Sequence, residues 1–219
     1  MSGYGIAGMP AATGGARLLF TTGNSDCNFY VYPEQCPSTT TYNGTTNIQE
    51  SIVRTNENPA NLLGIFTPSN VATLDKNDTD LGSGGALLLP TQSGNVPYLA
   101  VGAGKDGRLF LLNRLSMSSP LDTHQLGGCW CGPSYFVGSD QVGRIVTSQG
   151  NTISTWSLVL SPSPHLVQEG NVNISTGQDP GFFTVVSSNG TTAGTGGTLL
   201  EVRINAHPPN PWGQNRQDR

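Results

Sequence analysis

The stretch DLGSGGALLLPTQSGNVPYLAVGAGKDGRLFLLN, residues 80 to 113, sets short apolar runs between glycine-fenced polar turns, and that order recurs along the chain. GIAGMPAATGGARLLFTTG comes before it, and GCWCGPSYFVGSDQVGRIVTSQGNTISTWSL and DPGFFTVVSSNGTTAGTGGTLLEVRI come after. Each opens on small residues and glycine, passes through an apolar run and a polar glycine turn, and enters a second apolar run. The interval from Gly85 to Gly132 to Gly181 is about 47 to 49 residues. From Gly8 to Gly85 it is about 77, one unit plus an insertion of about 30 residues, which falls at about 24–58.

The runs are strand-sized and bounded by Gly, Asn, Asp and Pro, which predicts strands at ARLLFTTG, GALLLP, PYLAVGAG, GRLFLLN, PSYFVG, GRIVTSQG, TISTWSLVL, FFTVVSS and TLLEVRI. Helical spacing is confined to a turn around SNVATLDKN. A period near 48 residues matches the blade of a propeller. The expected fold is therefore all-β: a β-propeller, or a partial propeller of about four blades, each an antiparallel four-stranded sheet. One domain spans residues 1–206, and 207–219 reads as a disordered or foreign tail. The glycines of Gly82-Ser83-Gly84-Gly85 then serve close strand packing, because a phosphate-cradling loop needs a helix after its glycines and a strand follows here.

Only 11% of the residues are charged and the net charge is −4, so nucleic acid, which needs clustered Lys and Arg against phosphate, is not an expected partner. No apolar run approaches the roughly 20 residues of a membrane span. The amino-terminal MSGYGIAGMPAATGG lacks a basic end and an apolar stretch, so if the protein is exported the leader is not in this sequence. Four cysteines fall in two local pairs. That pattern suits disulfides in a secreted or periplasmic setting. Cys27 and Cys36 bracket NFYVYPEQ and are expected to pin that loop. Cys129 and Cys131 stand as a strained bridge or as two buried thiols, since residues two apart on a strand sit near the outer limit for a bridge. Metal ligation with His124 is a further use, without the second pair of a full zinc pattern.

FTPSNVATLDKNDTDLGSGGALLLP followed by LAVGAGKDGRLFLLNR resembles the quinoprotein-type β-propellers, the pyrroloquinoline-quinone-dehydrogenase-like repeat proteins with many exported bacterial members. Thr22-Gly23-Asn24 and SSNGTTAGTG at 187 to 196 are similar to the same family. The resemblance covers most of residues 1 to 200 and implies a propeller fold and, in catalytic members, a quinone cofactor with calcium. The chain departs from that pattern in three ways. It has about four units where seven or eight blades are usual, it has no tryptophan-docking repeat, and a residue separates Cys129 from Cys131 where alcohol-oxidising members carry adjacent cysteines.

Candidate chemistry is sparse. DKNDTD concentrates oxygen ligands, and Asp75, Asn77 and Asp80, with Asp78 between them, are the calcium candidates, although EF-hand spacing is not met. A carboxylate pair for glycoside cleavage would draw on Glu50, Glu57, Asp80 and Asp106, the acids nearest predicted loops. No G-x-S-x-G elbow is present. Phe29, Tyr30, Tyr32 and Tyr42 in the insertion could stack a carbohydrate or another partner, or form a small satellite core. Three functional readings follow: an exported binding or scaffold propeller, with a carbohydrate or protein as ligand; a pyrroloquinoline-quinone-dependent dehydrogenase or a piece of one; and a polysaccharide hydrolase with its carboxylates at the propeller mouth. An arc of blades leaves two sheet faces bare, which calls for tight closure, a second copy, or the missing blades of a longer parent chain.

Overall fold

The computed structural model describes residues 6–10, 16–25, 42–129, 131–174, 183–187 and 199–203. Among them are three four-stranded antiparallel sheets, each a meander of strands consecutive in sequence, and one two-stranded sheet. The first sheet holds β1 (Ala7–Pro10), β2 (Ala16–Thr21), β3 (Ile52–Asn56) and β4 (Leu62–Phe66). The second holds β5 (Ala86–Leu88), β6 (Leu99–Ala103), β7 (Arg108–Asn113) and β8 (Pro120–Gln125). The third holds β9 (Ser134–Val137), β10 (Gly143–Gln149), β11 (Thr152–Val159) and β12 (His165–Asn173). β13 (Phe183–Ser187) pairs with β14 (Leu199–Arg203). The described helix is confined to α1 (Val71–Lys76) and a 3-10 turn at Leu81–Ser83, both in the β4–β5 connection. The chain is all-β, as the glycine-punctuated runs require.

Strand alternation explains why the sheets stack. Leu99, Val101 and Ala103 of β6 and Leu109 and Leu111 of β7 face the third sheet, in one cluster with Ile145, Trp156, Leu158 and Leu166. The residues between them, Ala100, Phe110 and Leu112, face the first sheet and pack with Leu19, Ile52 and Phe66. A strand with apolar side chains at both parities must be covered on both faces, so the second sheet lies in the middle. The third sheet repeats the arrangement: Ile145 and Trp156 point back, while Val146 and Ile153 contact the next pair through Val186.

The sheets also share a local irregularity. The pairing of third strand to fourth shifts register between Arg54 and Thr55, between Leu111 and Leu112, and between Thr155 and Trp156. Each shift leaves an extra residue, Leu63, Leu121 or Glu169, on the fourth strand. Such bulges sharpen the twist of an outer edge. At the other edge, Gly85 N–H donates to the Cys131 carbonyl at 3.1 Å, and Gly132 forms a parallel bridge to Phe183, so the entries to successive sheets touch.

The glycine run at 82–85 does what the repeat predicts. A Cβ on Gly82 would lie 2.6 Å from the Gly23 nitrogen, and one on Gly84 would overlap the Ala103 carbonyl. The insertion aromatics Phe29, Tyr30 and Tyr32, the Cys27–Cys36 pair and the tail at 207–219 lie outside the described residues. β3, however, falls within the span that the repeat spacing assigns to the insertion, and it pairs with β2 and β4 as a member of the first sheet.

Candidate functional site

The β2–β3 connection, the β4–β5 connection and the β6–β7 turn meet at one end of the first two sheets. Beyond Thr21 the β2–β3 ladder continues, with Thr22 N–H donating to the Ser51 carbonyl at 2.8 Å and Glu50 N–H to the Gly23 carbonyl at 3.0 Å. The returning limb is organised by Asn43, whose Oδ1 accepts the backbone N–H groups of Thr45, Thr46 and Asn47 at 2.9 to 3.0 Å. Between the outgoing and returning limbs lies a cleft of about 370 Å³, lined by Thr22, Gly23, Asn24, Ser25, Thr46, Asn47, Ile48 and Gln49. Among the described residues its lining side chains carry hydroxyl and amide groups, with Ile48 apolar, and none is charged.

The acids of DKNDTD tie this loop down. Asp75, on α1, accepts the Ser25 N–H at 2.7 Å and the Ser25 hydroxyl at 3.1 Å. Asp78 accepts Asn24 Nδ2–H at 2.9 Å, and Asp80 accepts the Asn24 N–H at 3.3 Å. Lys105, from the β6–β7 turn, donates to the Asp78 carbonyl at 2.9 Å, to the Asp78 carboxylate at 3.3 Å and to the Asp80 carboxylate. The calcium candidates Asp75 and Asp80 thus spend lone pairs on protein donors. Asn77 caps the carboxyl end of α1 through its backbone N–H and brings no side-chain bond to the cluster. Among the described residues no three His, Cys, Asp or Glu side chains converge on a metal position.

Glu50 sits at the centre of these elements. It is 0% exposed, its φ is +50°, and its Oε2 accepts the Leu81 N–H at 2.5 Å. Its other oxygen, Oε1, is buried without a hydrogen-bond partner. Burial, reinforced by Asp80 and Asp75 and opposed by the Leu81 N–H and Lys105, raises its carboxyl to about 8. Glu50 is therefore protonated at neutral pH.

The other acid candidates are dispersed. Asp106 is engaged by Arg108, whose backbone N–H donates to it at 3.1 Å and whose Nε also pairs with it. Glu57 follows the far end of β3 from Glu50, roughly 20 Å away along an extended strand, too far to share a cleaving pair. Tyr42 accepts a hydrogen bond from the Thr67 hydroxyl at 2.9 Å, which ties it to the first sheet.

Cys129 and Cys131 form a disulfide with Cα atoms 5.0 Å apart, and both residues are 0% exposed. The two α-carbons stand closer than the roughly 6.6 Å of residues two apart on an extended strand. A bonded pair offers no thiolates, so metal ligation with His124 does not hold. His124 instead donates from Nε2 to Asp122 at 2.8 Å and packs against Trp156 with ring centroids 4.9 Å apart and the rings tilted by 46°.

Asn24, Lys105 and Asp122 carry these networks, yet none is a candidate from the sequence. Asn24 lies in a motif quoted for resemblance, and nothing in spacing brings Lys105 to Asp80. Compared with known proteins, the chain matches no family model, no curated protein and no solved structure.

Proposed function

We propose that the chain is an arc of a quinoprotein-like β-propeller that serves as an exported binding or scaffold domain, with the cleft at the β2–β3 connection as its ligand site. The observation that carries this reading is the equivalence of the sheets: three consecutive meanders, each bulged at the third-to-fourth pairing and each packed on the next. Stacking equivalent twisted sheets by their faces, with their first strands side by side, is how blades are arranged about an axis. The motifs at 64 to 114 and 187 to 196 add kinship to the quinoprotein type. A buried disulfide favours an oxidising compartment.

Binding is preferred over chemistry because Asp75, Asp78, Asp80 and Asp106 are held by Ser25, Asn24, Lys105 and Arg108 in structural duty. The last pair carries an exposed apolar group on the face turned away from the third sheet, Val185 at 49%, and further blades from a second copy or a longer parent chain would cover it. Reconstitution with pyrroloquinoline quinone and calcium, followed by dye-reduction assays on alcohols and sugars and by assays for polysaccharide cleavage, tests the reading. The expected result is no quinone absorbance and no turnover. Visible quinone uptake with dye reduction, or release of sugar ends, overturns it. Light scattering showing an open, stable monomer would overturn the need for that cover.

A further inference from the structure

Glu50 joins the wall of the cleft to the rest of the molecule. It directly follows the lining residues Thr46–Gln49, and its carboxyl reaches across to the 3-10 turn to take the Leu81 N–H. One oxygen is thereby satisfied. The other is buried with no donor, in a residue that no solvent reaches. Among the described residues the charged groups facing it are Asp75 from α1, Asp80 at the head of the 3-10 turn, and Lys105 from the β6–β7 turn. Lys105 is itself bound to Asp78 and Asp80. An ionised Glu50 would place a buried negative charge beside two others with one N–H to hold it, which low-polarity surroundings penalise heavily. A neutral carboxyl avoids that cost, its proton on the oxygen that has no donor.

We propose that Glu50 is a pH-operated latch on the cleft. Protonated, it keeps the limb at 46–50 docked on Leu81; when its proton leaves to solvent, the limb is released and the cleft opens. The left-handed backbone at Glu50, φ +50°, adds strain at the docked hinge. The direction of the carboxyl's shift, upward to about 8 from the ordinary 4.5, agrees. A group raised in the docked state supports docking fully below the ordinary value and loses that support as pH rises to its docked value. What the open cleft admits rests on the binding-domain reading, but the latch itself is measured without any ligand.

The test is hydrogen exchange at the amides of Glu50 and Leu81, corrected for the intrinsic pH dependence of exchange, on the full chain. In the wild type, protection is expected to fall about tenfold per pH unit between about 4.5 and about 8 and to level off above. Glu50→Gln, which keeps an acceptor for Leu81 N–H and cannot ionise, should hold protection constant. Asp75→Asn should move the upper plateau to lower pH and Lys105→Met should move it higher, so the latch stays testable if Glu50→Gln fails to fold. Protection in the wild type that is independent of pH overturns the latch. So do shifts in the same direction for the Asp75 and Lys105 variants. Neither result touches the binding-domain reading, which the turnover assays decide.

Discussion

Asp122 Oδ2 lies 2.7 Å from the backbone nitrogen of Leu166, so the outer strand of the second sheet accepts a hydrogen bond from the outer strand of the third. The same oxygen takes His124 Nε2–H, and the His124 ring covers Trp156. The sheets are therefore tied at their outer edge by a charged clasp, while their faces are held by apolar packing.

Asp122→Ala removes that clasp. Burial pushes the Asp122 carboxyl up, but the Leu166 N–H and His124 outweigh it and hold the group below its ordinary 3.8. A depressed acid contributes stability that is present above its ordinary value and is lost as pH falls through its folded value. At neutral pH the variant should lose about 1–2 kcal/mol in urea unfolding, and the Leu166 amide should exchange faster. The gap to the wild type should close in strong acid. Equal Leu166 exchange in the two proteins would refute the clasp.

Gly84 is a position of contact, and Gly170 is not. A Cβ on Gly84 overlaps the Ala103 carbonyl, whereas one on Gly170 meets nothing within 4 Å. Gly84→Ala is expected to cost about 3 kcal/mol or more, since backbone must move. Gly170→Ala should change stability by less than about 1 kcal/mol. Thermal unfolding of the two variants side by side decides it.

Trp156 Nε1–H donates to Thr147 Oγ1 at 3.0 Å in a pair that is 2% and 0% exposed. Trp156→Phe keeps an aromatic ring but leaves the hydroxyl without its donor. The expected loss is about 1–3 kcal/mol, and Thr147→Val in the same background should recover part of it. A double-mutant cycle in chemical denaturation measures the coupling.

The Cys129–Cys131 bond is closed to solvent, and its flanking backbone is stitched to the second sheet. Ser83 Oγ–H donates to the Cys129 carbonyl at 3.2 Å, and Cys129 N–H donates to the Gly104 carbonyl at 3.3 Å. A thiol reductant should therefore leave this pair oxidised in the folded protein. Alkylation at Cys129 and Cys131, read by peptide mass spectrometry, should appear only once denaturant separates the sheets. Labelling under native conditions would show that the segment opens on its own.

The inner strands were legible because their side chains report burial. β6 and β7 are apolar at almost every position, and glycine fences them. The outer strands were not. β12, HLVQEGNVN, is exposed from Val167 onward, and β8 turns Asp122 and His124 inward where a pattern reader expects apolar groups. β3, IVRTN, was hidden in the insertion because Asn and Thr surround it, and only its pairing with β2 shows it to be a strand of the sheet.

The candidate site divides in the same way. The acids of DKNDTD stand out by composition, but their partners Ser25, Asn24 and Lys105 lie 25 to 56 positions away. Local spacing shows only the acids, and folding supplied the amide, hydroxyl and ammonium donors they meet.

From the amino-acid order alone came the all-β class and the repeat period, because alternation is a property of short segments; the backbone that crowds Gly82 and Gly84, at Gly23 and Ala103, is brought there by the fold. Tertiary structure alone decided that Glu50 is buried against Leu81 between Asp75 and Asp80, and that Asp122 reaches Leu166. Those outcomes depend on which sheets stack and on what solvent is excluded, and neither is written in the spacing of residues along one strand.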